Sequence, residues 1–431
     1  MRLVKKSGLE WITSIPHNWS TNRIKYLFTN GKGLSITKEN LIETGLPVIS
    51  YGQIHAKNNS GTNIKPELLR FVDSQYQLLY PQCEVNQFDF VFADTSEDYD
   101  GCGNCVYKRD NTLLFGGYHA IIMHSIFQHD NRYFAYLFKT DCWRKQLREV
   151  ASGVKVFSIT QKALMNCSVI IPPDKEQTAI ADYLDTKCDQ LDTLIDDIQK
   201  QIETLEQYKR SIIAEAVTKG LNPDAEMRDS GVQWVGMMPS HWDCQRGKYI
   251  LRYLQKPVRD DDGVITCFRD GEVTLRSNRR EEGFTMADKE IGYQGIDVGD
   301  LVVHGMDGFA GAIGISDSRG KASPVLNVLE TKQNKRYIMY YLRSMAYNDV
   351  FVALATGIRV RSCDLRWNKL AELLYPLPPV DEQEAIVEYI DSVLERTNAV
   401  IADKKQQIET IEEYKKSLIF EYVTGKKEVN A

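Results

Sequence analysis

Apolar residues recur with a seven-residue helical period in two long stretches of the chain, residues 172–220 and residues 378–431. In the first stretch the spacing alternates between three and four residues, which keeps apolar side chains on one face, as in a coiled-coil seam. Two prolines followed by Asp174 favour a helix start, and Gly220 favours its end. The predicted seam consists of Ala181, Leu184, Cys188, Leu191, Ile195, Ile198, Ile202, Leu205 and Ile212.

The second stretch repeats the first at a shift of 206 residues without a gap, so that Tyr208-Lys209 matches Tyr414-Lys415. Two unrelated surface helices would explain the polarity pattern, but not the repeated residue identities. Thr397 and Lys404 place polar groups in the second seam, where they can fix the register and weaken the packing. Each helix is expected to be about 60–65 Å long, a rod that could hold two bodies at a fixed distance. The second predicted seam consists of Val387, Ile390, Leu394, Ile401, Ile408, Ile411 and Leu418.

A block of mixed sequence precedes each predicted helix, and this block also occurs twice. Both blocks begin with a Trp-Pro-Trp segment, at 7–29 and 230–252, which predicts a packed corner in preference to a direct DNA contact. Each block continues with a strand, a Gly-rich loop and a second strand, within 81–108 and 292–316. The strands correspond but the loops share little, and variable loops on a repeated scaffold are typical of specificity. Ordinary hairpin turns are the alternative interpretation.

Further repeated segments follow the loops. Arg132–Tyr136 and Arg336–Tyr340 are aromatic enough to form short core helices. Gly153-Val-Lys-Val recurs as Gly357-Ile-Arg-Val, which predicts an edge strand whose cations contact phosphates. A solvated strand face explains the same pattern equally well.

These patterns predict an α/β (α+β) protein with two repeated mixed domains, each followed by a long helix. The predicted boundaries are 1–171 for the first domain, 172–220 for the first helix, 221–377 for a linker and the second domain, and 378–431 for the second helix. Residues 221–231 are polar and form the linker.

Composition describes an ordinary globular chain. Its 431 residues are 43% hydrophobic and 26% charged, and no apolar run approaches the ~18 residues of a membrane span. The N-terminal segment lacks the apolar core of a secretory signal. Nine scattered cysteines indicate reduced thiols. We expect the protein in the cytoplasm.

Charge is distributed unevenly between the domains and the helices. The net charge is −6, yet residues 1–171 carry 19 Lys and Arg against 15 Asp and Glu, and residues 231–377 carry 20 against 18. The first helix has 6 basic against 11 acidic residues and the final segment 7 against 12. Phosphate binding would therefore fall to the domains, because acidic helices are repelled from DNA.

Recognisable catalytic motifs are absent from the sequence. There is no phosphate-binding Gly-Lys-Ser/Thr loop, no Asp/Asn-Pro-Pro-Tyr methyltransferase motif, no nucleophile elbow and no zinc helix. Cys102 and Cys105 have the spacing of half a zinc site, but nothing completes four ligands. We therefore expect a chain without catalytic residues, metal or cofactor of its own.

The repeated motifs resemble those of the specificity subunits of type I restriction–modification systems over essentially the whole chain. The matching motifs are Ser-Gly-x-x-Trp, Pro-x-x-Trp and Lys-Tyr at each domain start, Pro-Pro-x-x-Glu-Gln at each helix start, and Ile-Glu-Thr-Leu/Ile-Glu-x-Tyr-Lys within each helix. The resemblance implies two target recognition domains, each reading one half of a split DNA target, and an antiparallel pair of spacer helices. It also implies two adenine-N6 methyltransferase subunits using S-adenosylmethionine and two ATP- and Mg²⁺-dependent motor and nuclease subunits as partners.

A tandem repeat can also fold with pseudo-two-fold symmetry, which would match the dyad of DNA and place half-sites about 34–36 Å apart. Because the loops differ, we expect an asymmetric target. A protein-only scaffold and an enzyme with an unrecognised site remain the alternatives. The predicted DNA-contacting residues are Asp94, Thr95, Ser96 and Asp307 near base edges, and Lys155, Arg359 and Arg361 at phosphates.

Overall fold

The fold is taken from a computed structural model that describes residues 2–127, 130–279, 291–354 and 365–429. The chain forms two units. The first combines Met1–Asp197 with Gln407–Ala431, and the second comprises Ile198–Gln406. The mixed α+β class predicted from the sequence is confirmed.

The first unit is built around an antiparallel four-stranded sheet in the order Phe28–Lys32, Ala120–Ser125, Phe90–Ala93, Cys105–Tyr107. Side chains alternate between the faces of a strand, and here both faces are covered. Phe90 and Phe92 enter one apolar cluster, whereas Val91 and Ala93 enter another. This double burial explains why the central strand appears in the sequence as an unbroken apolar run.

Smaller elements complete the first unit. Its other strands are Val4–Leu9, Ile12–Pro16, Ser20–Arg23, Leu46–Ile49, Arg70–Val72, Thr95–Ser96, Phe115–Gly116, Phe157–Ser158 and Ser168–Ile171. Its shorter helices are Tyr51–Ile54, Gln75–Leu79, Arg132–Lys139, Asp141–Arg148 and Gln161–Asn166, with 3₁₀ turns at Ile24–Tyr26, Lys38–Asn40, Pro66–Leu68 and Pro81–Cys83.

The second unit repeats the four-stranded sheet in the order Leu251–Leu254, Leu326–Thr331, Leu301–His304, Ile313–Ile315. Its central strand is again buried on both faces. The other strands are Met227–Asp229, Met237–Pro239, Asp243–Arg246, Ile265–Cys267, Val273–Leu275, Gln294–Ile296, Gly320–Ala322 and Leu374–Leu377. The shorter helices are Gly247–Ile250, Arg276–Arg279, Lys335–Tyr347, Val350–Ala353 and Trp367–Leu370, with a 3₁₀ turn at Gly308–Ala310.

Two long helices are present where the heptads predict them, the first long helix at Asp174–Lys219 and the second long helix at Val380–Val423. Gly220 has φ +72°, the left-handed conformation expected at a helix stop. Within the first unit, Tyr183 packs on Tyr422 with ring centroids 4.5 Å apart.

The helix segments run antiparallel inside each unit. In the first unit Asp192, nine residues after Tyr183, pairs with Lys415, seven residues before Tyr422. In the second unit Gln201 accepts a 2.5 Å hydrogen bond from Lys404 Nζ. Farther along the first long helix, Val217 shares a core with Ile386 and Ile390, which precede Lys404.

Every predicted seam side chain is buried or half-buried. Thr397 is only 7% exposed, and its hydroxyl donates to the Val393 carbonyl at 2.7 Å, so the polar group is satisfied inside its own helix. Buried members are Ala181, Leu184, Cys188, Ile198, Ile202, Val387, Ile390, Ile401 and Leu418. Half-buried members are Leu191, Ile195, Leu205, Ile212, Leu394, Ile408 and Ile411.

Both Trp-Pro-Trp segments form packed corners, as predicted. Trp19 and Trp242 are fully buried. Trp19 meets Tyr133 edge-on at 6.1 Å, and Trp242 Nε1 donates to Glu382 at 3.0 Å. These indoles are therefore core groups of their units.

Candidate nucleic-acid interface

The loop after the central strand of the first unit contains three of the predicted contact residues. Thr95–Ser96 forms a short strand that pairs antiparallel with Phe157–Ser158. The structure thus brings this loop beside the basic segment that contains Lys155. The predicted start of the edge strand at Gly153 is wrong. The strand begins at Phe157, and Lys155 lies in an exposed bend before it.

Asp94 is held in place by two donors. Its Oδ1 accepts from His119 Nδ1 at 3.0 Å and from Thr95 Oγ1 at 2.7 Å. Because a carboxylate only accepts, the His119 proton lies on Nδ1. The Asp94 side chain stays 36% exposed and that of His119 55% exposed. An oriented polar group at the surface is what recognition of a ligand requires.

Aromatic rings border this pair. Tyr51 packs edge-on against Tyr118 at 5.4 Å and against His119 at 5.5 Å. His119 adopts φ +55°, a left-handed conformation that non-glycine residues rarely adopt. In this conformation its ring contacts both Tyr51 and Asp94.

A chain of hydrogen bonds through His55, Asn104 and Arg144 also holds the loop. His55 Nε2 donates to the Thr95 carbonyl at 2.8 Å, which leaves Nδ1 to accept from Asn104 Nδ2 at 2.9 Å. Asn104 Oδ1 in turn accepts from Arg144 at 2.6 Å. A Cβ at Gly101 would lie 2.3 Å from Ser96 Oγ, so the loop closes tightly there. These contacts fix the loop before any ligand arrives.

The equivalent loop of the second unit has a different construction. His304 Nδ1 accepts from the backbone N–H groups of Met306 and Asp307 at 3.2 and 2.9 Å. Burial lowers the pKa of His304, an effect that Arg269 reinforces and Asp307 opposes. Asp307 accepts from the Arg269 guanidinium at 2.9 Å. A Cβ on Gly311, at φ +96°, would lie 2.6 Å from the Arg269 carbonyl, so the hairpin carrying Arg269 abuts this loop.

A returning segment closes each loop in the same way. Ile159 N–H donates to the Asp94 carbonyl at 2.8 Å, and Leu365 N–H donates to the Gly305 carbonyl at 2.9 Å. Asn327 Nδ2 also donates to the Leu365 carbonyl at 3.1 Å. Ile159 and Leu365 stand 206 residues apart, the same shift as in the helix repeat. Arg359 and Arg361 lie outside the described residues.

Sequence reasoning missed His119, His55, Arg144 and Arg269. Each contacts its loop from a distant part of its unit, and none stands in a motif. The only sequence signal was the position of Tyr118-His119 directly before the strand Ala120–Ser125.

The CxxC pair does not assemble a metal site within the part of the chain that the structure describes, where no group of three or more metal-ligating side chains occurs. Both thiols are buried, and burial raises the pKa of Cys105 to about 12. Cys102 contributes its backbone carbonyl to Arg144. Among the described helices, none is both long and apolar enough to cross a membrane.

The chain is similar to known proteins of one family. The family model for the type I restriction modification DNA specificity domain matches residues 16–204. A putative type I restriction enzyme MjaX specificity subunit of Methanocaldococcus jannaschii is 22% identical over 426 residues, covering 96% of this chain and 95% of the relative. The chain is similar to type I restriction–modification specificity subunits along 96% of its length, and residues 16–204 match their DNA specificity domain.

Two further comparisons agree with this similarity. The MjaVIII specificity subunit of the same organism is 24% identical over 297 residues, covering 65% of this chain and 67% of the relative. A solved chain from a study of complex assembly in the type I restriction–modification system matches with a TM-score of 0.65 at 14% identity, covering 96% of this chain and 99% of that chain. The structural likeness shows that the two chains share a fold.

Proposed function

We propose that this chain is a specificity subunit that recognises an asymmetric DNA sequence in two halves, one read by each unit. It directs adenine-N6 methylation and ATP-dependent restriction that partner subunits carry out. One observation carries the proposal. Each unit has a loop at the equivalent position of its own four-stranded sheet, and equivalent backbone hydrogen bonds from Ile159 and Leu365 close the two loops. The side chains of the two loops differ.

The first loop offers a carboxylate held by His119, whereas at the second loop Asp307 holds the guanidinium of Arg269 from the neighbouring hairpin. Groups of opposite hydrogen-bonding character read different bases in the major groove. Two unlike loops on equivalent scaffolds therefore support an asymmetric target. Lys155, exposed beside the first loop, is proposed to contact a phosphate.

Partner subunits are proposed to supply all of the catalysis. These are two methyltransferase subunits, which use S-adenosylmethionine, and two restriction subunits, which use ATP and Mg²⁺. The excess of acidic over basic residues on both long helices favours protein partners over DNA along them. The eight cysteines within the described residues are free thiols, which supports action in the cytoplasm.

Co-expression with a type I methyltransferase subunit tests the function. Mapping N6-methyladenine across the host genome should reveal one split, asymmetric motif that disappears when this chain is omitted. Replacing Asp94, Thr95 and Ser96 with alanine should change one half of the motif and leave the other unchanged. Methylation without this chain, or an unsplit palindromic motif, would contradict the proposal.

A further inference from the structure

Asp94 has an unusual environment for a carboxylate in a DNA-facing loop. Within the described part of the chain, both side-chain hydrogen bonds to Asp94 go to Oδ1, from His119 Nδ1 and Thr95 Oγ1, and Oδ2 accepts none. The side chain is 36% exposed, so Oδ2 can accept a further hydrogen bond. The arrangement presents one oriented acceptor to a ligand.

Phosphates repel a carboxylate, so Asp94 gains nothing from the DNA backbone. A base edge differs, because some bases present amino donors in the major groove. Adenine presents its N6 amino donor beside an N7 acceptor, and this acceptor would repel a carboxylate. Cytosine presents its N4 amino donor without an acceptor of its own, and Asp and Glu pair with cytosine N4.

We propose that Asp94 reads a cytosine through its N4 amino group, with His119 and Thr95 as positioning residues. This assignment rests on the proposed function of the loop as a reader of DNA. The hydrogen bonds from His55 to the Thr95 carbonyl and from Arg144 to Asn104 keep the carboxylate oriented before DNA binds. Preorganisation of this kind reduces the ordering that binding requires.

Asp94→Asn tests the assignment, because it replaces an acceptor with an amide that pairs well with adenine. Glu97→Gln is the matched control: Glu97 is exposed in the same loop and loses the same charge. The purified complex with its methyltransferase subunit is incubated with duplexes randomised at each half-site position, and bound DNA is sequenced. The expected result is loss of cytosine preference at one position with Asp94→Asn, by about tenfold, and an unchanged motif with Glu97→Gln.

An Asp94→Asn complex that keeps every base preference would overturn the assignment while leaving the proposed function intact. A wild-type complex that selects no split sequence would instead remove the proposed function itself. Should Asp94→Asn alter preferences throughout both halves, the residue would be structural, which also overturns a role in reading one base.

A second assignment rests on a separate observation in the second unit. One nitrogen of Arg269 donates to Asp307 Oδ1, and the side chain is 62% exposed. A guanidinium held by a carboxylate on one side keeps its outward N–H groups aligned, and Arg pairs bidentately with guanine O6 and N7. We infer that Arg269 reads a guanine in the other half-site.

Arg269→Lys distinguishes recognition of the base from simple attraction by charge, because it keeps the positive charge and removes the bidentate guanidinium. In the randomised-duplex selection, we expect guanine preference to fall about tenfold at one position while salt dependence stays the same. Arg252→Gln, at an exposed strand position of the same unit, is the control and should keep the motif. Retention of the full guanine preference by Arg269→Lys would overturn the assignment.

Discussion

Asp185 and Asp391 are equivalent residues, 206 positions apart, that hold a short helix against a long one in each unit. Asp185 accepts from Arg109 at 2.6 Å, Arg132 at 2.6 Å and Tyr136 at 2.7 Å. Asp391 accepts from Arg336 and Tyr340. Burial alone would raise the pKa of Asp185, but its hydrogen bonds with Arg109, Tyr136 and Arg132 lower it overall.

Asp185→Asn should therefore destabilise the first unit by about 1–3 kcal/mol, because Arg109 and Arg132 each lose one ion-pair partner and the amide cannot satisfy all three donors. Urea unfolding measures the change. Asp189→Asn, exposed on the same helix, is the control and should shift stability by less than about 0.5 kcal/mol. Equal effects of the two substitutions would contradict the role of the cluster.

His304 should make the second unit sensitive to acid. Its pKa is lowered from an ordinary value near 6.5, first by burial and then by Arg269, with Asp307 opposing them. The unfolded chain therefore binds the proton more readily than the folded one, so stability is full above pH about 6.5 and falls as the pH drops below that value. A protonated Nδ1 could no longer accept the two hydrogen bonds from the backbone N–H groups of Met306 and Asp307.

Hydrogen exchange of the Met306 and Asp307 amides between pH 7.5 and 5.5, corrected for intrinsic rates, measures this effect. We expect protection to decrease on acidification in the wild type. His304→Asn, whose amide oxygen can accept without titrating, should remove the pH dependence. A wild-type profile as flat as that of the variant would refute this role of His304.

At the scale of elements, the second long helix tolerates polar residues in its seam by different means. The Thr397 hydroxyl donates to the Val393 carbonyl of its own helix, whereas Lys404 Nζ donates to the Gln201 side chain within the same unit. Both side chains have partners, which explains how the helix persists despite two breaks in its apolar pattern.

Thr397→Val should raise the free energy of unfolding of the second unit by about 0.5–1 kcal/mol, because it buries a methyl in place of a hydroxyl without a change in branching. Thr193→Val is the control: Thr193 makes the same bond to its own helix, to the Asp189 carbonyl at 2.8 Å, but is exposed. Thermal unfolding of both variants gives the comparison, and a loss of stability in Thr397→Val would indicate that the hydroxyl has a further partner.

Gly425 ends the second long helix in close contact with the first unit's Trp-Pro-Trp corner. It has φ +69°, and a Cβ there would lie 2.4 Å from Pro16 Cγ and 3.0 Å from Trp19. Gly425→Ala should cost about 2–4 kcal/mol, the sum of left-handed strain and displaced core atoms. Gly8→Ala, at φ +73° with nothing within 4 Å, should cost about 1–2 kcal/mol from strain alone. The urea denaturation midpoints of the two variants measure the difference between their costs. Equal midpoints would mean that Pro16 and Trp19 can move away from the added Cβ without cost.

At the scale of the whole molecule, the first unit is assembled from both ends of the chain. Leu418, Ile419 and Val423 belong to the same apolar cluster as Ile180 and Leu184. The hydroxyl of Tyr133 donates to the Val423 carbonyl at 2.8 Å. The first domain therefore cannot be complete without the C-terminal segment.

Truncation after residue 406 should accordingly unfold or loosen the first unit. Amides of Phe90–Ala93 should lose hydrogen-exchange protection by at least about tenfold, and a peptide spanning 407–431 should restore it. Amides of Ile313–Ile315 in the second unit are the internal control and should keep their protection. Unchanged protection of Phe90–Ala93 would mean that the unit is stable without its second segment.

Sequence alone could predict what depends on local pattern and on duplication. The seven-residue period predicted both long helices, and Gly220 predicted the end of the first. The apolar runs at Phe90–Phe92 and Leu301–Val303 predicted the central strands. Repeated identities also indicated that the two loops share a scaffold. Such features depend on residues close in sequence, so a single chain exposes them.

Tertiary structure decided which distant groups meet. His119 reaches Asp94 across 25 residues, Arg269 reaches Asp307 across 38, and Tyr133 reaches Val423 across 290. The sequence by itself determined the helices, the central strands and the positions of the variable loops, because backbone periodicity and chain duplication are local properties. Only the folded chain decided how those loops are oriented and which segments complete the first unit, because hydrogen bonds and burial depend on distances in space that the order of residues does not contain.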